Sequence, residues 1–483
     1  QFHDIMAGSS LESAYEDARI SSYEALSIAQ RNANLALQAL SWAIQIDNEE
    51  GMIPFVVFNP NCWETQSAVE LELGGWKPDV VLLDPMGKVI PYQVIQAHAT
   101  CNGRTRICFV ASLPALGYTV FRLAIREDTA KAELVPATEH MIENDSLRLE
   151  IDPETGWIKS LWDKRHQLEV FAGAAAKPVV IDDPSDTWSH NVYAFQKEIG
   201  SFKARSVRLV EHGAVRSILR VKSVYGHSQI TQDFILYQGI DSIEVRFKVD
   251  WHEQFKLLKL RFPIHLNQMK ATYEIPYGQV QRAANGLEEA GQSWVDLSGI
   301  SRDNGVMYGV SIINDSKYSY DVQIRDIGLT VLRSPIYAHH IPKVPDPEGE
   351  YSFIDQGMQQ FTYSIYPHAG NWAKAGSVRR SWELNQRPVT LLATYHPGYL
   401  AMTQSFIHCN QAQVMVSVVK RGEDSNGWVI RAYETAGRTC QAEISLFGRI
   451  IKAKFGASEI KTWLIPDDTS REVVEINFLE WSK

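Results

Sequence analysis

The sequence is poor in cysteine, has no long apolar run and carries no excess of positive charge, and each shortage removes a class of protein. Five cysteines (Cys62, Cys101, Cys108, Cys409, Cys440) lie scattered over 483 residues without a CxxC pair. A disulfide framework is therefore not expected, and the odd, sparse set fits free thiols in a reducing, cytoplasmic compartment. No apolar stretch approaches the ~20 residues a membrane-spanning helix needs, and no signal-peptide pattern opens the chain. Lys and Arg number 47 against 57 Asp and Glu, a net charge of −10, which disfavours nucleic acid as a partner. The phosphate-cradling patterns GxGxxG and GxxxxGK[ST] are missing, and so is GxSxG. Asn144-Asp-Ser and Asn314-Asp-Ser match the glycosylation acceptor pattern, but a three-residue motif arises often by chance.

What is present is ordinary globular material, 45% hydrophobic, long enough for roughly two to four domains with filled cores. The chain opens on Gln1 rather than Met and reads at once as ordered structure, so it is expected to belong to a longer protein. Residues 9–47 carry apolar positions on a three-four spacing (Leu11, Tyr15, Ala18; Leu37, Leu40, Ile44) with no Gly or Pro between Ser9 and Gly51. Ser9 and Glu12 have the spacing of a capping box, so one long helix is expected, its apolar face needing a partner. After Gly51 the pattern turns to short strands punctuated by Pro-Asn, Gly-Gly and Leu-Gly turns.

The organisation that follows is mainly β with an N-terminal helical segment. Residues 51–128 read as a small β-sandwich, with a linker near 128–138. Residues 139–372 read as a large two-sheet sandwich and 385–483 as a C-terminal β domain, a short helix near 372–384 crossing between them. The strongest strand is Ile243 to Trp251, where Ile243, Val245, Phe247 and Val249 share one face and charges take the other. Val414 to Lys420 and Trp428 to Glu434 flank a polar turn and predict a hairpin.

Chemistry-bearing clusters are few. Trp251-His252-Glu253 begins like a zinc helix but lacks the second His and reads as a strand end; His339-His340 sits in a Pro-rich loop without a nearby acid. The opening Gln1-Phe2-His3-Asp4-Ile5-Met6-Ala7-Gly8-Ser9-Ser10 places a His-Asp pair before a helix start. Asp182-Asp183-Pro-Ser-Asp186-Thr-Trp188-Ser-His190 gathers carboxylates beside an indole, groups that bind sugar hydroxyls and the C–H face of a sugar ring; an acidic loop over a packed Trp is the plainer reading. Arg282 and Arg333 are candidates to pair with those carboxylates, or to form structural ion pairs elsewhere.

Gln1-Phe-His-Asp-Ile-x-x-Gly-Ser-Ser with Tyr15-Glu-Asp-Ala closely resembles a stretch of family 38 α-mannosidases, most of all their cytosolic and bacterial branch. Further segments resemble the same family in the same order: Pro54-Phe-Val-Val-Phe-Asn-Pro-x-x-Trp63-Glu, Leu113-Pro-Ala-Leu-Gly-Tyr, Ile142-Glu-Asn-Asp-x-Leu, Glu274-Ile-Pro-Tyr-Gly, Leu329-Thr-x-Leu-Arg-Ser-Pro and Phe361-Thr-Tyr-Ser-Ile-Tyr-Pro-His. The resemblance implies that residues 1–50 end a catalytic module and enter a helix bundle, and that the large sandwich is galactose-mutarotase-like. It implies that His3 is one ligand of an active-site zinc and that Asp4, and through the Asp-x-Trp loop Asp186 and Trp188, contact the sugar. The nucleophilic Asp, the acid/base Asp and the other zinc ligands, among them a His-x-Asp pair that this chain does not contain, are expected in a preceding α/β domain.

The function so implied is zinc-assisted, retaining hydrolysis of terminal α-mannosides, this chain being the C-terminal portion and inactive alone. Its expected partners are an α-mannoside oligosaccharide and the N-terminal catalytic domain, with no nucleic acid and no membrane; self-association is left open. The rival is a non-catalytic carbohydrate-binding or structural β module. A lyase or epimerase on a large sandwich would need an acid/base set within residues 140–370 that the sequence does not assemble.

Overall fold

The computed structural model describes all residues except 1–4, 6–7, 75–79, 100–102, 126–133, 191, 339–345, 347, 424–426 and 482–483. Strands account for 55% and helices for 10% of the described residues, so the fold is mainly β with an N-terminal helix, as the residue pattern predicts. The described residues form two compact units. One combines Gln1–Ala39, Leu134–Tyr273 and Gln281–Asn371; the other combines Leu40–Glu133, Glu274–Val280 and Trp372–Lys483.

The first unit is built on a nine-stranded antiparallel sheet. Lys203–His212, Arg216–Tyr225, Ser228–Tyr237 and Ile243–Trp251 follow one another as hairpins, and Gly357–Ala369 then adds beside Ile243–Trp251. The turn at Gly226 is taken at φ +52, where the missing Cβ removes the steric cost. A six-stranded sheet, with Lys177–Asp182, Lys256–Pro263 and Asp326–Arg333 as neighbours, packs against it. The alternation read in the sequence explains the packing. Ile243, Val245, Phe247 and Val249 are all buried, and Phe262 of the six-stranded sheet meets Tyr363 of the nine-stranded one edge to face at 5.8 Å. A five-stranded sheet spanning Ala137–Glu169 completes the unit.

Both Asn-x-Ser asparagines are structural. Asn144 is buried and donates to the carbonyls of Tyr237 (2.6 Å) and Ile240 (2.8 Å), and Asn314 is buried and donates to the Tyr320 hydroxyl at 2.7 Å. The Trp251-His252-Glu253 run is a strand end, as expected.

In the second unit, Met52–Asn59, Gly117–Ile125 and Val80–Leu83 form one layer of a small sandwich. Thr65–Gly74 with Arg104–Leu113 forms the other, and Phe55, Val57, Leu82 and Phe121 pack with Val69, Leu71, Ile107 and Phe109. Two short strands from far along the chain, Val389–Leu392 and Thr403–Ser405, extend the first layer. The predicted hairpin Val414–Arg421/Gly427–Glu434 is present, and its four-stranded sheet shares a core with a three-stranded one through Val416, Ile430, Ile444, Phe455 and Trp463. The crossing helix is two short helices, Trp372–Ala375 and Ser377–Asn385, parted by Gly376 at φ +74.

The N-terminal helix departs from expectation at both ends. It spans Glu12–Trp42, and Ala14 and Tyr15 make its first bonds to the Leu11 carbonyl, so Leu11 holds the capping position and Ser9 lies outside. Tertiary contacts override the capping box: the Gly8 carbonyl accepts from the Thr187 hydroxyl at 2.8 Å and the Ser10 carbonyl from the Ala338 N–H at 3.0 Å. Along the helix only Ala18 and Ser41 are buried, while Ile20, Tyr23, Leu26 and Leu35 lie more than half exposed.

Candidate functional site

Within the first unit, Asp183 follows the end of Lys177–Asp182 and Arg333 ends the strand Asp326–Arg333. Both strands flank Lys256–Pro263, so their ends stand two strand spacings apart, roughly 10 Å, a gap an arginine side chain can cross. The Arg333 guanidinium grips Asp183 through both Nε and Nη2. Nη2 also donates to the Ser185 hydroxyl and to the Asp186 carbonyl at 2.6 Å, and Nη1 to the Thr187 carbonyl at 3.2 Å. The ring of Phe195 covers the guanidinium at 5.1 Å. Asp183 is almost fully buried, so this charge-assisted fork is what compensates its desolvation. One side chain thereby fixes residues 183–187.

Asp186 is 8% exposed and its carboxylate accepts from His190 Nδ1 at 2.6 Å. Trp188 is half-buried, its ring 6.1 Å from that of His190. His190 is exposed, and Tyr193, three residues on, is 72% exposed. The loop thus presents an indole face, an imidazole and a phenol, with the Asp186 carboxylate held beneath them. The sequence reading placed His190 at the end of this patch without giving it a role, which its Asp-x-x-x-His spacing from Asp186 could have suggested, and Tyr193 was not singled out.

The Thr187–Gly8 hydrogen bond ties this loop to the peptide that follows His3 and Asp4. Those two residues, and the His339-His340 pair, lie outside the described residues. Near the same strand end, the rings of Tyr15 and Tyr337 lie 5.5 Å apart and inclined at 60°, and the Arg333 N–H donates to Asp355 at 3.3 Å. Burial raises the Asp355 carboxyl above the usual carboxylate range, with Lys317 opposing the shift, and burial lowers the Lys317 ammonium.

Beneath residues 192–197, the six-stranded sheet carries a buried charge network. Lys259, with no exposed surface, bonds Glu288 and Asp321, and Arg261 adds to Asp321 at 2.6 Å. Glu288 also accepts from Ser319 at 2.6 Å and from Thr330. Arg282, considered as a partner of the 182–190 carboxylates, is instead engaged by the Ala290 carbonyl, Glu289 at 3.4 Å and the face of Tyr273 at 5.1 Å. Among the described residues no three His, Cys, Asp or Glu side chains converge as a metal site would require.

Comparison with known proteins agrees with the resemblance read from the motifs. Residues 142–348 match the model of the glycosyl hydrolases family 38 C-terminal domain. Alpha-mannosidase G of Dictyostelium discoideum is 25% identical over 90% of this chain and 42% of its own length. Alpha-mannosidase 2C1 of Homo sapiens is 25% identical over 92% of this chain and 40% of its own length. The chain therefore spans about two fifths of the curated relatives it matches. The crystal structure of an alpha-mannosidase from Enterococcus faecalis V583 superimposes with a TM-score of 0.78, covering 94% of this chain and 61% of that one at 16% identity, which shows a shared fold.

Proposed function

We propose that this chain, whose residues 142–348 match the glycosyl hydrolases family 38 C-terminal domain, serves the hydrolysis of terminal α-mannosides together with a preceding catalytic domain. The observation that carries the reading is the bond between Thr187 and Gly8. It docks the sugar-compatible Asp186–His190 loop on the peptide that leads back in sequence to Asp4 and His3.

In this reading Asp4 accepts hydrogen bonds from sugar hydroxyls, and Trp188 offers its indole face to the C–H side of a ring. Arg333 and Thr187 hold the loop at fixed height, so that binding does not carry the entropy cost of ordering it. His3 would be one ligand of a zinc ion, the remaining ligands coming from the catalytic domain, since the described residues make no complete site. Bound there, the ion would supply Lewis-acid help to the 2- and 3-hydroxyls of mannose, whose axial 2-hydroxyl crowds attack at the anomeric carbon. The nucleophile and the acid/base of a retaining mechanism are assigned to the catalytic domain, so the chain alone is expected to be inactive.

The test is zinc content and hydrolysis of a chromogenic α-mannoside, for this chain and for a chain extended upstream through a catalytic domain. Turnover and zinc in the long form only, both lost in His3→Ala, would support the split site. Stoichiometric zinc or turnover in the short form would refute it, and sugar binding with neither would favour a binding module.

A further inference from the structure

The nine-stranded sheet leaves one face outside its hydrophobic core, and on it the strands bring four cations into register. Arg220, Asp233, Arg246 and Thr362 are successive cross-strand partners, and two residues along, Lys222, Thr231, Lys248 and Gln360 form a second row. Residues two apart on a strand share a face, so both rows point the same way. They line a groove of about 580 Å³ together with Asp315, whose carboxylate accepts from the Thr362 N–H, and the volume falls within the ~300–1,000 Å³ of small-ligand sites.

The charges are not all spent on each other. Asp233 takes Arg220 in a bidentate pair, both bonds at 2.7 Å, and Glu244 takes Arg246 at 3.2 Å. Lys222 and Lys248 are exposed and have no ion-pair partner among the described residues. They flank Thr231 one strand on each side, so their backbones stand roughly 10 Å apart. Two ammonium groups on four-carbon stems can therefore converge above the Thr231 hydroxyl. In a chain of net charge −10, this is a local inversion of sign.

From this geometry we infer a second binding site, for a sugar bearing a tetrahedral oxyanion, a phosphate or sulfate ester. Lys222, Lys248 and the Thr231 hydroxyl take the anion. Gln360, the cross-strand neighbour of Lys248, stands beside them as an amide that a bare inorganic anion would not need and sugar hydroxyls would use. The site lies on a different sheet from the Arg333 loop; its anion-binding part stands by itself, and only the choice of mannose as the sugar rests on the proposed function.

Isothermal titration of the full chain at low ionic strength tests it, with mannose 6-phosphate, mannose 6-sulfate, free mannose and inorganic phosphate as probes. Either ester should bind at least tenfold more tightly than free mannose and than inorganic phosphate, and binding should weaken as salt rises. The Lys222→Ala/Lys248→Ala double variant should lose at least tenfold with its thermal melt unchanged, and Lys222→Arg should retain binding. No ester binding, equal affinity for free mannose, or full binding by the double variant would overturn the site. Inorganic phosphate binding as tightly as the esters would overturn the sugar assignment.

Discussion

Arg333 and Asp183, 150 residues apart in sequence, form a two-pronged ion pair at the edge of the large sandwich. Both strand ends and residues 183–187 depend on it, because the same guanidinium also holds Ser185 and the carbonyls of Asp186 and Thr187.

Removing the cation while keeping its bulk should therefore be costly. Arg333→Met strands a buried carboxylate, an error worth about 3–5 kcal/mol. The first unit should melt several degrees lower, and limited proteolysis should cut near residues 183–190. Adding Asp183→Asn to Arg333→Met should recover part of the loss, because the uncompensated charge is gone. A melt unchanged in Arg333→Met would show that the pair does not organise the loop.

Among the described residues, the Thr187 hydroxyl supplies the hydrogen bond between the loop and the N-terminal peptide. Thr187→Val keeps the shape and deletes the bond to the Gly8 carbonyl, a loss of about 1 kcal/mol. The Ala338 amide, which donates to Ser10 on the same peptide, should exchange with solvent roughly fivefold faster by that energy. Exchange unaltered at Ala338 would mean that residues 8–10 are held by other contacts. In an upstream-extended chain, the same substitution should raise KM for the α-mannoside more than it lowers kcat.

How far the sequence revealed these features follows from how local their causes are. Strand Ile243–Trp251 and the hairpin at Val414–Glu434 were readable because alternation and turn chemistry are local. Strands Val389–Leu392 and Thr403–Ser405 were not, being short and paired with partners hundreds of residues away. The Ser9–Glu12 capping box misplaced the helix start because Thr187 and Ala338 hold Gly8–Ser10 from outside. Asp186 and Trp188 were visible as residue types and Arg333 as one of two candidate partners for the 182–190 carboxylates, but that Arg333 takes Asp183 while Arg282 does not is decided by the strand register. The charges that make the groove on the nine-stranded sheet are spread over three hairpin strands and gather only once the register is set.

The exposed helix Glu12–Trp42 makes a prediction of its own. Leu26 is 51% exposed, so Leu26→Glu in this chain should shift stability by no more than ~0.5 kcal/mol, the usual range for open surface. If the helix packs against a preceding domain, the same change in the extended chain should cost ~1.5–3 kcal/mol, the value of a buried leucine. Equal, small effects in both forms would leave this face of the helix in solvent.

Asp326 supplies a pH-dependent case whose sign is fixed by its surroundings. Burial raises its carboxyl from the usual 3.8 to about 6, with Arg261 opposing and Asp321 reinforcing. Between those values the folded chain holds a proton that the unfolded chain has released, so stability contributed by this group falls as pH rises from about 4 to 6 and stays lowered above. Asn imitates the protonated form, and its carbonyl oxygen can keep the bond from the Phe262 N–H that Oδ1 now accepts at 3.0 Å. Asp326→Asn should therefore be more stable than the parent at pH 7.5, by on the order of 1–3 kcal/mol. The advantage should shrink toward zero at pH 4. A variant that is less stable at pH 7.5 would instead show that Arg261 and its neighbours need the negative charge more than the fold suffers from burying it.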